Sequence, residues 1–114
     1  MKYLSLLIFI ITVSVPAIAE PYTKTADAKK IAWMDKGMNA VKQRLKDPIS
    51  TTFRNVYFHR TADNVPVTCG EVNAKNSYGA YTGFQSFISG GTLKLTILQS
   101  EVTDFPVLWN DLCQ

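Results

Sequence analysis

Residues 53–97 read FRNVYFHRTADNVPVTCGEVNAKNSYGAYTGFQSFISGGTLKLTI, and the period of their apolar side chains decides the fold. Phe53 to Arg60 is rich in aromatic and β-branched residues, which pack well on a pleated surface. Thr61 to Asn64 is polar and reads as a turn. Val65, Val67 and Cys69 then recur at every second position, the period of a strand with one face covered. Pro66 has no N–H for a ladder, so it belongs at the strand's start or on an unpaired side. Gly70 marks a bulge, after which Val72 continues the strand. Asn73 to Gly79 forms a wide turn in which Asn and Gly can take positive φ. Ala80 to Ile88 alternates again as a third strand, and Ser89-Gly90-Gly91 reads as a tight hairpin. Leu93, Leu95 and Ile97 then form the inward side of a fourth. Four strands in sequence with short connections make an antiparallel meander.

A sheet with one apolar face needs a cover, and the sequence supplies it upstream. Ile31, Met34, Met38, Val41 and Leu45 lie three and four positions apart, one narrow stripe along a helix. The spacing predicts a helix over 26–46 after a short lead-in, Glu20 to Lys24, with Thr25 as N-cap and Asp27 in the first turn. Asp47-Pro48 ends it, because the residue before proline avoids the α region. Gly37, inside that helix, points to a close backbone approach. Downstream, Thr103 or Asp104 caps a short helix with Pro106 in its first turn. It carries Phe105, Trp109 and Cys113 on one face. The expected architecture is α+β: an N-terminal amphipathic helix packed on a four-stranded meander, with a short C-terminal helix, in two layers.

The chain has 114 residues, which allows one domain. Residues 1–19, MKYLSLLIFIITVSVPAIA, combine the positive Lys2, an apolar run from Leu4 to Val15, and Pro16 before Ala17-Ile18-Ala19. These are the three parts of a secretory signal peptide, with cleavage after Ala19. The run is much shorter than the ~20 residues that span a bilayer, so no stable membrane insertion is expected after cleavage. The expected organisation is therefore a leader over 1–19 and a single α+β domain over 20–114. Lys2 leaves with the leader, so part of the net charge of +3 does not belong to the domain.

Export changes the meaning of Cys69 and Cys113, the only cysteines. They are 44 positions apart, unlike any CxxC redox or zinc spacing, and permit one intramolecular pairing. A disulfide of that span contributes roughly 4 kcal/mol in the chain-entropy picture. That is a large part of the ~5–10 kcal/mol expected of so small a domain. The competing reading is a reactive or redox thiol.

Chemistry has few places to reside. His59 is the single histidine, so multi-histidine zinc sites are excluded, and no metal or cofactor is called for. No GxSxG, HExxH, Walker or GxGxxG pattern occurs. The basic residues of the first helix alternate with Asp27, Asp35 and Asp47, which reads as a solvated face and not a nucleic-acid surface. The most distinctive stretch is Cys69 to Phe87. There Asn73, Lys75, Asn76, Tyr78 and Tyr81 offer hydrogen bonds and flat contact area at low entropic cost. The plainer alternative is that Asn and Gly serve the turn while the aromatics pack along a hairpin. The leading functional expectation is a non-enzymatic binding or accessory module whose contact residues are those five. The alternative is a small envelope hydrolase using His59 with a carboxylate.

Leu45-Lys46-Asp47-Pro48, Ser50 and Phe53-Arg54-Asn55-Val56 form one motif, LKDPxSxxFRNV. Cys69-Gly70-Glu71-Val72-Asn73 and Lys75 to Phe84 form a second, CGxVNxKNxxGxYxGF. Together they resemble a group of small uncharacterised exported bacterial proteins, some of them lipoproteins or phage-associated, often with a Trp and terminal Cys like Trp109 and Cys113. The resemblance spans residues 41–113. It implies a bacterial envelope setting, with an envelope protein or cell-wall component as partner, and supports the cysteine pairing. It carries over no catalytic residue. No lipid-accepting cysteine lies near the cleavage point, which favours a soluble periplasmic or secreted form.

Overall fold

The computed structural model describes the backbone of residues 19–114 and side chains from residue 27 onward. The expected leader, with Lys2, the Leu4–Val15 run and Pro16, lies outside the described residues. The first helix, α1, spans Ala19–Gln43. It starts earlier than the expected 26–46, so Glu20 to Lys24 is helical and Thr25 is interior, not a cap. Pro21 does not prevent this, because first-turn N–H groups have no intrahelical acceptor to lose. The helix also stops sooner. Arg44 N and Leu45 N donate to the carbonyls three residues back, Val41 and Lys42, at 3.0 and 3.1 Å, tightening the last turn ahead of Pro48.

The sheet is a four-stranded antiparallel meander: β1 (Thr52–Arg60), β2 (Pro66–Asn73), β3 (Gln85–Ser89) and β4 (Thr96–Leu98), in that spatial order. Pro66 opens β2 opposite Arg60, at a strand start as its missing donor requires. The bulge lies across from Gly70 instead of within β2. Asn55 and Val56 occupy β1 between the Arg54–Glu71 and Tyr57–Cys69 pairs, and Asn55 takes φ 53°. A Cβ at Gly70 would lie 2.9 Å from Val56 Cγ2 and 3.1 Å from Phe87 Cε1. Gly70 thus makes room for the bulge on its neighbour.

Two expected strands are shorter than their alternation implied. Only Gln85–Ser89 of the third is paired, and residues 80–84 form a loop carrying an isolated bridge between Lys75 and Tyr81. Gly83 at φ 100° interrupts the extended path. In the fourth, Leu93–Leu95 forms a single 3-10 turn, and pairing starts at Thr96. The hairpin is correspondingly wide, closed by Gly90 N donating to the Leu95 carbonyl at 2.8 Å. Inside it, the Ser89 and Thr96 hydroxyls are 2.8 Å apart, and Thr96 Oγ1 donates to the Thr92 carbonyl.

The second helix, α2 (Phe105–Cys113), begins after Asp104, and Pro106 stands in its first turn as expected. Its placement corrects the two-layer expectation, because the helices cover opposite faces of the sheet. On one face Val41 of α1 packs with Val72, Phe87 and Leu98, flanked by Met38, Leu45, Phe53 and Val56. On the other Phe105 and Cys113 of α2 pack with Val67, Cys69 and Ile88. The physical reason is the period of β2: Thr68, Gly70 and Val72 point to α1, so Val67 and Cys69 point away. The disulfide joins Cys69 to Cys113 and fixes α2 on that second face. Tyr57 adds to the same contact. Its ring meets Trp109 edge-on at 6.3 Å, and its hydroxyl donates to the Cys113 carbonyl at 2.9 Å.

Candidate functional site

The residue 73–81 segment crosses the end of the sheet, held against the 3-10 turn Pro48–Ser50 that follows α1. Pro48 begins that turn, where its fixed φ suits the tight geometry, and the Ser50 hydroxyl donates to the Asp47 carbonyl at 2.9 Å. Ser50 is the anchor. Its Oγ accepts from Lys75 N at 2.9 Å, and its carbonyl accepts from the Tyr81 hydroxyl at 3.0 Å. Asn76 Oδ1 accepts from the backbone N–H of Tyr78 and Ala80, at 2.9 and 3.2 Å, closing the turn around Gly79 at φ 77°. Farther along, the Arg54 guanidinium lies 3.8 Å from the centre of the Phe84 ring. Arg54 and Asn55 in turn hydrogen-bond Glu71, at 2.9 and 2.8 Å, and these bonds hold the Glu71 carboxyl below the usual carboxylate range.

The five expected contact residues therefore separate by role. Tyr78 is 94% exposed at the tip, and Tyr81 is 50% exposed with its hydroxyl tied back. The Lys75 ammonium lies 5.7 Å from the Tyr81 ring centre. Asn76 shapes the turn. Asn73 closes β2 opposite Thr52, with its Oδ1 buried and without a hydrogen-bond partner. Sequence reasoning missed Ile49, which is 97% exposed beside Ser50 on the same end of the molecule. No local signal in the sequence distinguished it from a buried apolar residue.

A second surface was also missed. A groove of about 620 Å³ opens on the α2 face, with Val65, Leu95, Ile97 and Leu112 among its apolar walls. Its residues come from four separate segments, so no contiguous motif announced it. Asp63, Asp111 and Lys94 also line it, and these mixed signs specify no ligand charge.

His59 lies on β1 opposite Val67, on the α2 side of the sheet. Among the described residues it makes no side-chain hydrogen bond and no ion pair with a carboxylate. No group of three or more His, Cys, Asp or Glu among them could hold a metal ion, and no described helix is long and apolar enough to cross a membrane. No family model, curated protein or solved structure matches the chain.

Proposed function

We propose that the protein is an exported binding module of the bacterial envelope that engages an envelope protein or cell-wall component through Ile49, Lys75, Tyr78 and Tyr81. One observation carries this reading: two large side chains, Ile49 and Tyr78, stand almost fully exposed on backbone that hydrogen bonds hold in place. Exposing such groups has a solubility cost and no folding benefit. A preorganised aromatic loses little entropy on binding, and tyrosine is prominent among interface hot spots. The paired cysteines and the leader pattern at residues 1–19 support the exported setting.

The test is quantitative capture of the partner from an envelope extract by wild type and by Tyr78→Ala and Ile49→Ser variants. Both variants should keep the wild-type circular dichroism spectrum and melting temperature. Each should weaken capture by about 2 kcal/mol, roughly thirtyfold, if these residues are hot spots. Equal capture by all three proteins would reject the surface.

A further inference from the structure

Beside the 73–81 segment, the end of α1 and the β3–β4 region enclose a polar cleft of about 250 Å³. Arg44, Lys46 and Lys75 line it, with Glu101 as its only acidic residue. Arg44 is committed to Glu101 through both Nε and Nη2, so that pair cancels. Among the described residues the two lysines have no carboxylate partner, leaving the cleft with two uncompensated positive charges.

The neutral groups agree in sign. Asn76 and Gln85 also line the cleft, and each has its side-chain oxygen occupied by backbone donors. Asn76 Oδ1 takes Tyr78 N and Ala80 N, and Gln85 Oε1 takes Ser100 N at 3.0 Å. Those bonds orient both amides so that their NH2 groups, which donate to nothing among the described residues, remain free. Two lysines without a carboxylate partner and two oriented amide donors, with the one lining carboxylate engaged by Arg44, leave positive charge and donors in excess around the cleft. A ligand oxyanion would complement that excess.

We propose that this cleft is an oxyanion subsite that binds a carboxylate or phosphate group borne by the partner. The proposal rests on the reading of the neighbouring surface as a contact site and names the chemistry of its partner. The volume is below the ~300–1,000 Å³ of pockets that enclose whole small ligands, so it suits one charged group at the edge of a larger contact. Lys75 lines the cleft and its ammonium lies 5.7 Å from the centre of the Tyr81 ring, so it joins the cleft to the neighbouring platform.

The test is nuclear magnetic resonance titration of the disulfide-bonded protein with sodium phosphate, with sodium glucuronate, and with sodium chloride at matched ionic strength. Saturable shifts at the Asn76 and Gln85 side-chain amides are expected with phosphate or glucuronate, and which of the two binds more tightly identifies the source of the anion. Chloride should give none. Lys46→Gln and Lys75→Gln should each weaken binding by about tenfold, as loss of a charged hydrogen bond implies, with an unchanged melting temperature. Tyr78→Ala should leave anion binding intact. Shifts that fail to saturate, that match those in chloride, or that ignore both lysine substitutions would overturn the subsite. In that event, Tyr78-dependent partner capture would still support the platform. Anion binding without Tyr78-dependent capture would leave the subsite standing and remove the platform.

Discussion

Gly37 shows how a local preference and a packing contact can oppose each other at one residue. Replacing a helix-interior glycine with alanine ordinarily stabilises by ~1 kcal/mol. Here the added Cβ would lie 2.6 Å from Thr68 Oγ1 and 2.7 Å from Thr68 Cβ, in a buried seam between α1 and β2. Overpacking of that kind costs ~1–3 kcal/mol, so Gly37→Ala is expected to lower the unfolding free energy in urea. Thr68→Ala alone removes the hydrogen bond from Thr68 Oγ1 to the Trp33 carbonyl, but it also removes the nearer of the two obstructing atoms, leaving only the Cβ at 2.7 Å. The double variant should therefore be more stable than the sum of the two single losses, a coupling a double-mutant cycle reads directly. Tyr57→Phe isolates another contact: losing the bond to the Cys113 carbonyl should cost ~1 kcal/mol while the ring stays packed on Trp109. The close approach at Gly37 was legible in the sequence, because a glycine within an amphipathic stripe has few other uses. Ile49 was not, since nothing local distinguishes a displayed apolar residue from a buried one.

Between elements, the end of α1 is tied to the stretch after β4 by one carboxylate. Glu101 accepts from Arg44, and its Oε1 also accepts from Leu98 N at 2.9 Å. The Arg44 hydrogen bond, with the Leu98 N–H assisting, holds the Glu101 carboxyl below its ordinary value against some desolvation. A depressed folded pKa contributes stability that is complete above the unfolded pKa and is lost as pH falls through the folded one. Unfolding free energy should thus decline on acidification through and below the usual glutamate range. Glu101→Gln should flatten part of that decline, leaving the share due to Glu71. The pair is about a third exposed, so its share at neutral pH should be under ~1 kcal/mol. Element identity and order were largely legible from period alone, but the fourth strand is displaced: Leu93 and Leu95, expected on its inward side, lie in an exposed 3-10 turn ahead of it. Lengths were less so. Alternation across Tyr81 to Phe84 and Leu93 to Leu95 looked extended, but Gly83 and a 3-10 turn end the pairing, and neither alters the hydrophobic pattern.

At the scale of the whole molecule, the layering follows from parity along β2. The α1 contacts and the cysteine fall on alternate residues, so a bond from Cys69 has to draw the C-terminal helix to the face away from α1. That consequence is present in the sequence, but the period of two marks a strand without saying which face each neighbour covers, so two layers and three fit the same strand pattern. The 620 Å³ groove could not be foreseen, since its walls come together only after α2 has docked. With the sheet covered on both sides, the disulfide is, among the described residues, the one covalent cross-link between α2 and the sheet. Reducing it, or replacing both cysteines with serine, should lower stability by roughly 4 kcal/mol and expose Trp109, visible as a red shift in its fluorescence. The central claim is that an exported, sulfur-stapled scaffold presents a rigid contact surface. Its most direct test is mass analysis of the chain expressed with its own N-terminal residues and recovered without reductant after thiol alkylation. The account predicts a chain beginning at Glu20, no alkyl groups, and a peptide pair linked through Cys69 and Cys113. A chain retaining Met1 with two alkylated cysteines would contradict it.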